Sequence, residues 1–349
     1  MESKKLWSLC VFALVVLMIS GACSKDRDKD EPMTELVTEY VYVAGRDVGR
    51  KDMAKLWKNG MVQDLTDGTN TAHGMSVFVS GTDVYVAGFE SNENTRVAKL
   101  WKNGTEQVLT DGTRYAVASS VFVSGTDVYV AGTEYKGSGG VAKLWKNGEA
   151  QDLTDGTNYA MGNSVFVSGS DVYVAGFEMS ARVVKLWKNG EAQYADGRLT
   201  DGTNEAQGMS VFVSGDDVYV AGYESNGIVP VAKLWKNGTA QDLTDGTNTA
   251  MANSVFVSGT DVYVAGVEFI ENEGVAKLWR NGEAQDLTDG TNTAQAVSIF
   301  VLGKDVYISG YESNGTVPVA KLWKNGEAQN LTDGRYFAVA NSVFVVPCN

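Results

Sequence analysis

Seven acidic residues stand at matching places along the chain: Asp47, Glu90, Glu134, Glu178, Glu224, Glu268 and Glu312, each soon after a Tyr-Val-Ala-Gly-like run. Carboxylates gathered around one opening could hold a cation such as calcium or accept hydrogen bonds from sugar hydroxyls. The competing reading is a solvated strand end, with each carboxylate paired to a nearby lysine or a loop amide. Tyr115, Tyr159 and Tyr336 precede an alanine or follow a Gly-Arg pair in only some of the copies, and Asn163, Asn253 and Asn341 lie a few residues further on. Aromatic faces beside amide side chains are what a carbohydrate site needs, because a ring stacks on the apolar face of a sugar while an amide reads its hydroxyls.

Other chemistry finds less support. His73 is the one histidine in 349 residues, so zinc lacks its usual ligands and a Ser-His-Asp triad would have to be built on this residue alone. The Asp-x-x-Asp-Gly stretches, as at Asp64 and Asp67 or Asp242 and Asp245, lack the dense oxygen spacing of a calcium loop. Val108 and Asn330 replace the first acid in two copies, so a turn tipped by Asp-Gly is the better description. A carboxylate pair for glycoside cleavage is compatible with so many acids. Near-identical copies argue against it, since acid and base need different surroundings. We expect a non-catalytic protein with no obligatory cofactor.

These residues belong to a repeat. Tryptophans at 57, 101, 145, 187, 235, 279 and 323 follow one another at intervals of 44, 44, 42, 48, 44 and 44 residues, and self-similarity of that period marks a repeat architecture. One copy, Ser254 to Asp289, contains four short apolar runs, SVFVS, DVYVAG, VAKLW and AQDL, divided by turn residues. Short alternating runs with such punctuation are antiparallel strands. Asn-Gly between the last two predicts a type I′ hairpin, both of whose central residues need positive φ. Apolar character falls from the first run to the last, which predicts a first strand buried on both faces and a polar fourth strand that blunts the exposed edge. Sheets of this kind bury two faces only by radial packing, so the fold class expected is a β-propeller, all-β, with four-stranded antiparallel blades. The tryptophan, at the same place in each, is read as the packing element between neighbouring blades.

The two termini give the blade number. The second-strand motif occurs seven times from Tyr40 onward, whereas the first-strand motif starts only at Ser76 and ends with Ser342 to Val346 at the C-terminus. The C-terminal strand should therefore complete the blade begun at Tyr40 and close a seven-bladed ring. In such a blade the loop from strand two to strand three shares a face with the linker to the next blade. Those loops vary freely, as in SNENTR, YKGSGG and SNGIVP, and loops on a rigid scaffold carry binding. The short Met179 to Arg182 loop and the extra residues Tyr194 to Arg198 are the main departures from period.

Residues 1–23 read as a removable leader. Lys4 and Lys5 precede an apolar run from Leu6 to Ile19, too short to span a bilayer, that ends in Ile-Ser-Gly-Ala-Cys. Residues 24–36 are a charged tether and 37–349 the propeller. The net charge of −14 becomes −15 once Glu2, Lys4 and Lys5 leave, which argues against nucleic acid or anionic lipid as partners. With Cys10 in the leader and Cys23 at its end, only Cys348 remains, so no disulfide framework is expected.

The leader and its small residues before Cys23 resemble a bacterial lipoprotein signal, which implies lipidation at Cys23. The acidic run that follows resembles the segment marking surface-exposed lipoproteins of the Bacteroidetes. The pattern Ala-x-Ser-Val-x-x-x-Gly-x-x-Val-Tyr-x-x-Gly, followed by Val-Ala-Lys-Leu-Trp-Lys-Asn-Gly, resembles the extracellular HAF-type repeat over about residues 40 to 346. Ser-Val stands where that family more often has Ile-Asn. The resemblance implies a secreted or surface-attached propeller and no particular activity. The expectation is a monomeric, outer-membrane lipid-anchored binding protein at the cell surface, with a periplasmic or secreted protein as the alternative. It meets the membrane only through its lipid and binds a glycan. The alternatives for function are a protein-interaction scaffold or adhesin, and a polysaccharide hydrolase or lyase.

Overall fold

The computed structural model describes residues 38–348 except 50, 94, 138 and 181. The leader, the tether and Cys23 lie outside the described residues. Among the described residues the chain forms seven four-stranded antiparallel sheets. Blade one combines both ends of the domain, with Ala338–Pro347 innermost, then Glu39–Asp47, Met53–Lys58 and Met61–Asp64. Blades two to seven each follow chain order from the axis outward, beginning with Ala72–Ser80 in blade two and Ala294–Leu302 in blade seven. Tyr42 pairs with Phe344 and Val43 with Val343, so the expected closure is present.

Sequence chemistry explains each turn. The seven Asn-Gly hairpins hold both residues at positive φ, as at Asn103 (φ 52) and Gly104 (φ 79), and asparagine and glycine are the residues that tolerate this at least cost. The asparagine then locks the turn, Asn103 Oδ1 accepting from the Val84 amide at 2.8 Å while its amide donates to Asp83. In six linkers the aspartate before glycine closes a turn on the threonine two residues later, Asp67 Oδ1, for example, accepting from the Thr69 amide at 2.8 Å, and in the seventh Asp333 accepts from the Arg335 amide.

Seven apolar clusters fill the seven seams between blades, each with one tryptophan from the downstream blade. Trp145 of blade three packs on Ala87, Ala98 and Leu100 of blade two, and Trp57 of blade one packs on Ala320 and Leu322 of blade seven. All seven tryptophans are buried. Their stacking fixes the glycine that ends the Val-Tyr-Val-Ala-Gly run. A Cβ on Gly88 would lie 1.9 Å from the His73 carbonyl oxygen and 3.1 Å from Trp101 Cζ3.

The inner strands run further upstream than the Ser-Val-Phe-Val motif suggests, starting at Ala72 rather than Ser76 in blade two, because a β-bulge after Gly74 absorbs one residue without ending the ladder. Their valines are buried, while the phenylalanine between them is only partly so. Seven of these rings, Phe78, Phe122, Phe166, Phe212, Phe256, Phe300 and Phe344, touch in a closed circle with centroids 4.7–5.0 Å apart. A second circle satisfies the inner edge. Val77 N–H donates to Ser342 Oγ, and matching bonds of 3.1–3.3 Å link every blade to the next. An unpaired inner edge would leave buried donors unsatisfied, which is costly, so the serine repeats with the blade. The outermost strands are exposed throughout, as Met61–Asp64 shows.

Cys348 is disulfide-bonded, which corrects the expectation that no disulfide forms; its partner lies outside the described residues. Counting cysteines by compartment could not anticipate this pairing. No helix among the described residues is long and apolar enough to cross a membrane.

Candidate functional site

The variable loops and the linkers emerge on one face, as expected, because the end of each second strand pairs with the start of the inner strand: Glu90 lies opposite Ala72, and the Ser91 amide donates to the Thr71 carbonyl at 2.7 Å. The six glutamates at that position lie on the second strands, one strand out from the axis, and each meets the lysine of the Lys-Leu-Trp motif. Lys99 Nζ lies 2.5 Å from Glu90 and 2.6 Å from Glu106; Lys143 lies 2.7 Å from Glu134 and 2.6 Å from Asp152. Glu178, Glu224, Glu268 and Glu312 pair with Lys185, Lys233, Lys277 and Lys321. Burial alone would lower the Lys99 and Lys143 ammonium pKa, but the two carboxylates outweigh it and raise it. Asp47 differs, its Oδ1 accepting from the Gly49 amide.

Asn163, Asn253 and Asn341 are the extra residues of three inner-strand bulges. Their amides donate across the inner seams to the carbonyls of Gly208, Ala296 and Gly74, each at 2.8 Å. They are thus engaged between inner strands rather than set beside the tyrosine rings.

The tyrosines behave differently. Tyr115 and Tyr159 flank Tyr135 in one run of aromatic rings, with centroids 4.7 and 5.4 Å from that of Tyr135. The Tyr135 and Tyr159 hydroxyls are 2.8 Å apart, and Tyr159 continues to Phe177 at 6.3 Å. Burial, with Tyr135 beside it, pushes the Tyr159 phenol well above its ordinary value, so it stays neutral, and its hydroxyl donates to the Met161 sulfur at 3.2 Å. Tyr336 is half exposed and stands outside this run; its neighbour Phe337 packs under Arg46 at 4.6 Å.

At the other end the run passes through Arg96, whose guanidinium carbon lies 5.0 Å from the Tyr115 ring and 4.3 Å from that of Phe89. His73 stacks on Phe89 at 4.5 Å. Its Nε2 lies 3.0 Å from Asp52 Oδ2 and 3.0 Å from Arg46 Nη1, which is itself 3.1 Å from the same oxygen. One Nε2 cannot serve both neighbours. With the proton on Nε2, the ring donates to Asp52 and the arginine donates to that oxygen too, leaving the Arg46–His73 contact as a close approach of two donors. Burial pushes the imidazole below its ordinary value, opposed by the bond to Asp52 and reinforced by the Arg46 charge. Burial would raise Asp52, but His73 and Arg46 hold its carboxyl below the usual range.

The aromatic run reaches a cleft of about 370 Å³ between blades four and five, lined by Met179, Arg182, Asn204, Glu205, Ser225 and Gly227. The short Met179–Arg182 loop helps leave that notch open, and the Met179 amide donates to the Tyr159 carbonyl. Tyr194 of the insertion does other work. It packs over Gly238 of the next blade's Asn-Gly hairpin, where outer-strand glutamines such as Gln107 and Gln151 approach the corresponding Gly148 and Gly190.

Tyr135, Phe89, Phe177, Arg46, Arg96 and Phe337 were not singled out in the sequence. Their one signal is that they occupy strand-end positions where the copies disagree. Blades five to seven answer this run with Tyr223 bonded to Glu205 and Tyr311 bonded to Gln295. No linked series of ring contacts spans those blades on this face among the described residues.

No protein-family model and no curated protein matches the sequence. Among solved structures, the fold is similar to Pyrococcus horikoshii acylaminoacyl peptidase, with a TM-score of 0.52 and 14% identity over 87% of this chain and 52% of that one. It is also similar to a puromycin-hydrolyzing peptidase of Mycobacterium tuberculosis, with a TM-score of 0.55 and 11% identity over 80% of this chain and 49% of that one. The chain spans about half the length of each, and at such identity the likeness is one of fold.

Proposed function

We propose that this propeller is a non-catalytic glycan-binding protein, and that the ligand lies along the aromatic run Tyr115–Tyr135–Tyr159 toward the cleft at Met179. One observation carries the reading: on a nearly sevenfold-symmetric disc, linked aromatic side chains occur on one sector of the loop face. Stacked rings offer apolar area at low entropic cost, with hydroxyls at their rims to read sugar oxygens. The glutamates add polar rims in this reading, Asn158 donating to Glu178 at 2.7 Å. Export by a lipoprotein-type leader, lipidation at Cys23 and the HAF-like repeat fit a protein tethered at the cell surface as a monomer; such processing removes Cys10 and occupies the Cys23 sulfur, so in this reading the Cys348 disulfide belongs to the unprocessed chain.

Protein from Ser24 onward, applied to a broad glycan array, tests this. Binding is expected, and Tyr159→Ala should weaken it about tenfold, the size of a central aromatic anchor, in a protein that still melts cooperatively. Silence across the array, with recovery of a specific protein partner instead, would favour the scaffold alternative. Radiolabelled palmitate should enter the wild type and not Cys23→Ser. A second reading, cleavage of a polysaccharide, draws on the single His73–Asp52 pair. New chain ends released by wild type and lost in His73→Gln would replace the binding reading with it.

A further inference from the structure

Arg96 differs from every other arginine and lysine described on this sector in how its charge is held. Its guanidinium lies over Phe89, which is 2% exposed, and against Tyr115, whose hydroxyl accepts from Nη1. Among the described residues no carboxylate pairs with it. Its equivalents at the start of the other third strands are Asp52, Gly140, Arg182, Pro230, Gly274 and Pro318; one of these six is a cation, Arg182 at the cleft end of the run, so the repeat does not itself demand a charge there. Arg46 and His73 lie on the same side, and the one carboxylate among them, Asp52, already receives both on a single oxygen. The patch therefore keeps net positive charge on a chain whose total is −14.

With its carbon 4.3 Å from the Phe89 ring centre and Nη1 donating to the Tyr115 hydroxyl, the guanidinium keeps the rest of its N–H edge as the polar surface on offer. That edge matches a planar carboxylate through two parallel charged hydrogen bonds. We infer that the cationic end of the aromatic run, centred on Arg96 with Arg46 and His73 beside it, binds the carboxylate of an acidic saccharide whose neighbouring sugar stacks on Tyr115 and Tyr135. This rests on the glycan reading above and adds the ligand's charge. The long-range repulsion of an acidic chain is screened beyond about 8 Å at physiological salt, so a local cation pair of this kind decides the contact.

The test uses the purified full chain at physiological salt and oligosaccharides bearing galacturonate, glucuronate or sialate, each beside its carboxyl-reduced partner. Charged hydrogen bonds of this kind amount to a tenfold or larger factor, so at least one acid should bind about tenfold tighter than its reduced form. Arg96→Gln should bring that ratio near one, and Arg96→Lys, which keeps charge without the fork, should leave it reduced. Tyr159→Ala should weaken both members while preserving the ratio. Equal binding of acid and reduced forms, or a ratio that survives Arg96→Gln in a protein of unchanged melting, overturns the inference and leaves glycan binding standing. A preference confined to sulfated oligosaccharides overturns the carboxylate assignment. No binding of any member overturns both readings.

Discussion

Ending the chain after Phe337 removes the inner strand of blade one and nothing else of the ring. Val343 and Val345 are 4% and 2% exposed, and their burial contributes about 3–6 kcal/mol together. Phe344 also leaves its contacts with Phe78 and Phe300 at 4.7 and 4.8 Å, about 1–3 kcal/mol for two aromatic pairs. The Val77 amide loses Ser342 Oγ and the Gly74 carbonyl loses the Asn341 amide, a smaller cost because water enters the opened seam. Even the low end, about 4 kcal/mol, rivals the whole stability of many domains, about 5–15 kcal/mol. Scanning calorimetry should show melting lowered by about 8 °C or more, at roughly 2 °C per kcal/mol for a chain this size, or no cooperative transition. Cys348→Ser, which removes the disulfide and keeps the strand, is the control and should fall far less. A peptide of residues 338–349 added in trans should restore part of the loss. Melting within about 2 °C of the full chain, indifferent to the peptide, would refute the closure argument.

Gly88→Ala should be among the most damaging single changes, because its Cβ meets backbone at 1.9 Å with Trp101 behind it; urea unfolding should register a loss of about 3 kcal/mol or more, or no folded protein. His73, as the sole histidine, gives one imidazole resonance in proton NMR, and its midpoint should lie below the ordinary 6.5. Because the folded pKa is depressed, unfolding takes up a proton between the two values, so stability from this group is full above pH 6.5 and falls as pH drops toward the folded midpoint. Wild type should lose stability over that window relative to His73→Gln; a midpoint at or above 6.5 would contradict the buried, neutral ring.

The scaffold was legible because the chain states it seven times. Asn-Gly, Ser-Gly and the Trp-Lys pairs each specify a local geometry whose chance occurrence at one period is negligible, and the spare Ser-Val-Phe-Val at the end had only one sheet left to join. The site was legible in part. Tyr115 and Tyr159 stood out as linker residues shared by few copies, but Tyr135 ends a second strand and belongs to a different position of the repeat. Only the stagger of blades three and four sets it between them. Arg96 and His73 come from two further positions, which a repeat alignment separates. The asparagines' place in the fold was hidden for a related reason. Asn163, Asn253 and Asn341 fall on bulges, and a bulge changes register without leaving a residue type that announces it. The carboxylates were ambiguous because the same acid suits a ligand or a lysine, and the lysine two positions across the sheet became visible only with strand register known.

The loop-face reading is tested most directly by hydrogen-exchange mass spectrometry of the wild type with and without the tightest oligosaccharide from the array. Protection is expected in peptides covering 89–96, 114–117, 133–136, 158–161 and 177–182, and none at the Asn-Gly hairpins around 103, 147 and 237 on the opposite face. Protection at those hairpins, or spread evenly over all seven blades, would contradict a ligand held on this one sector.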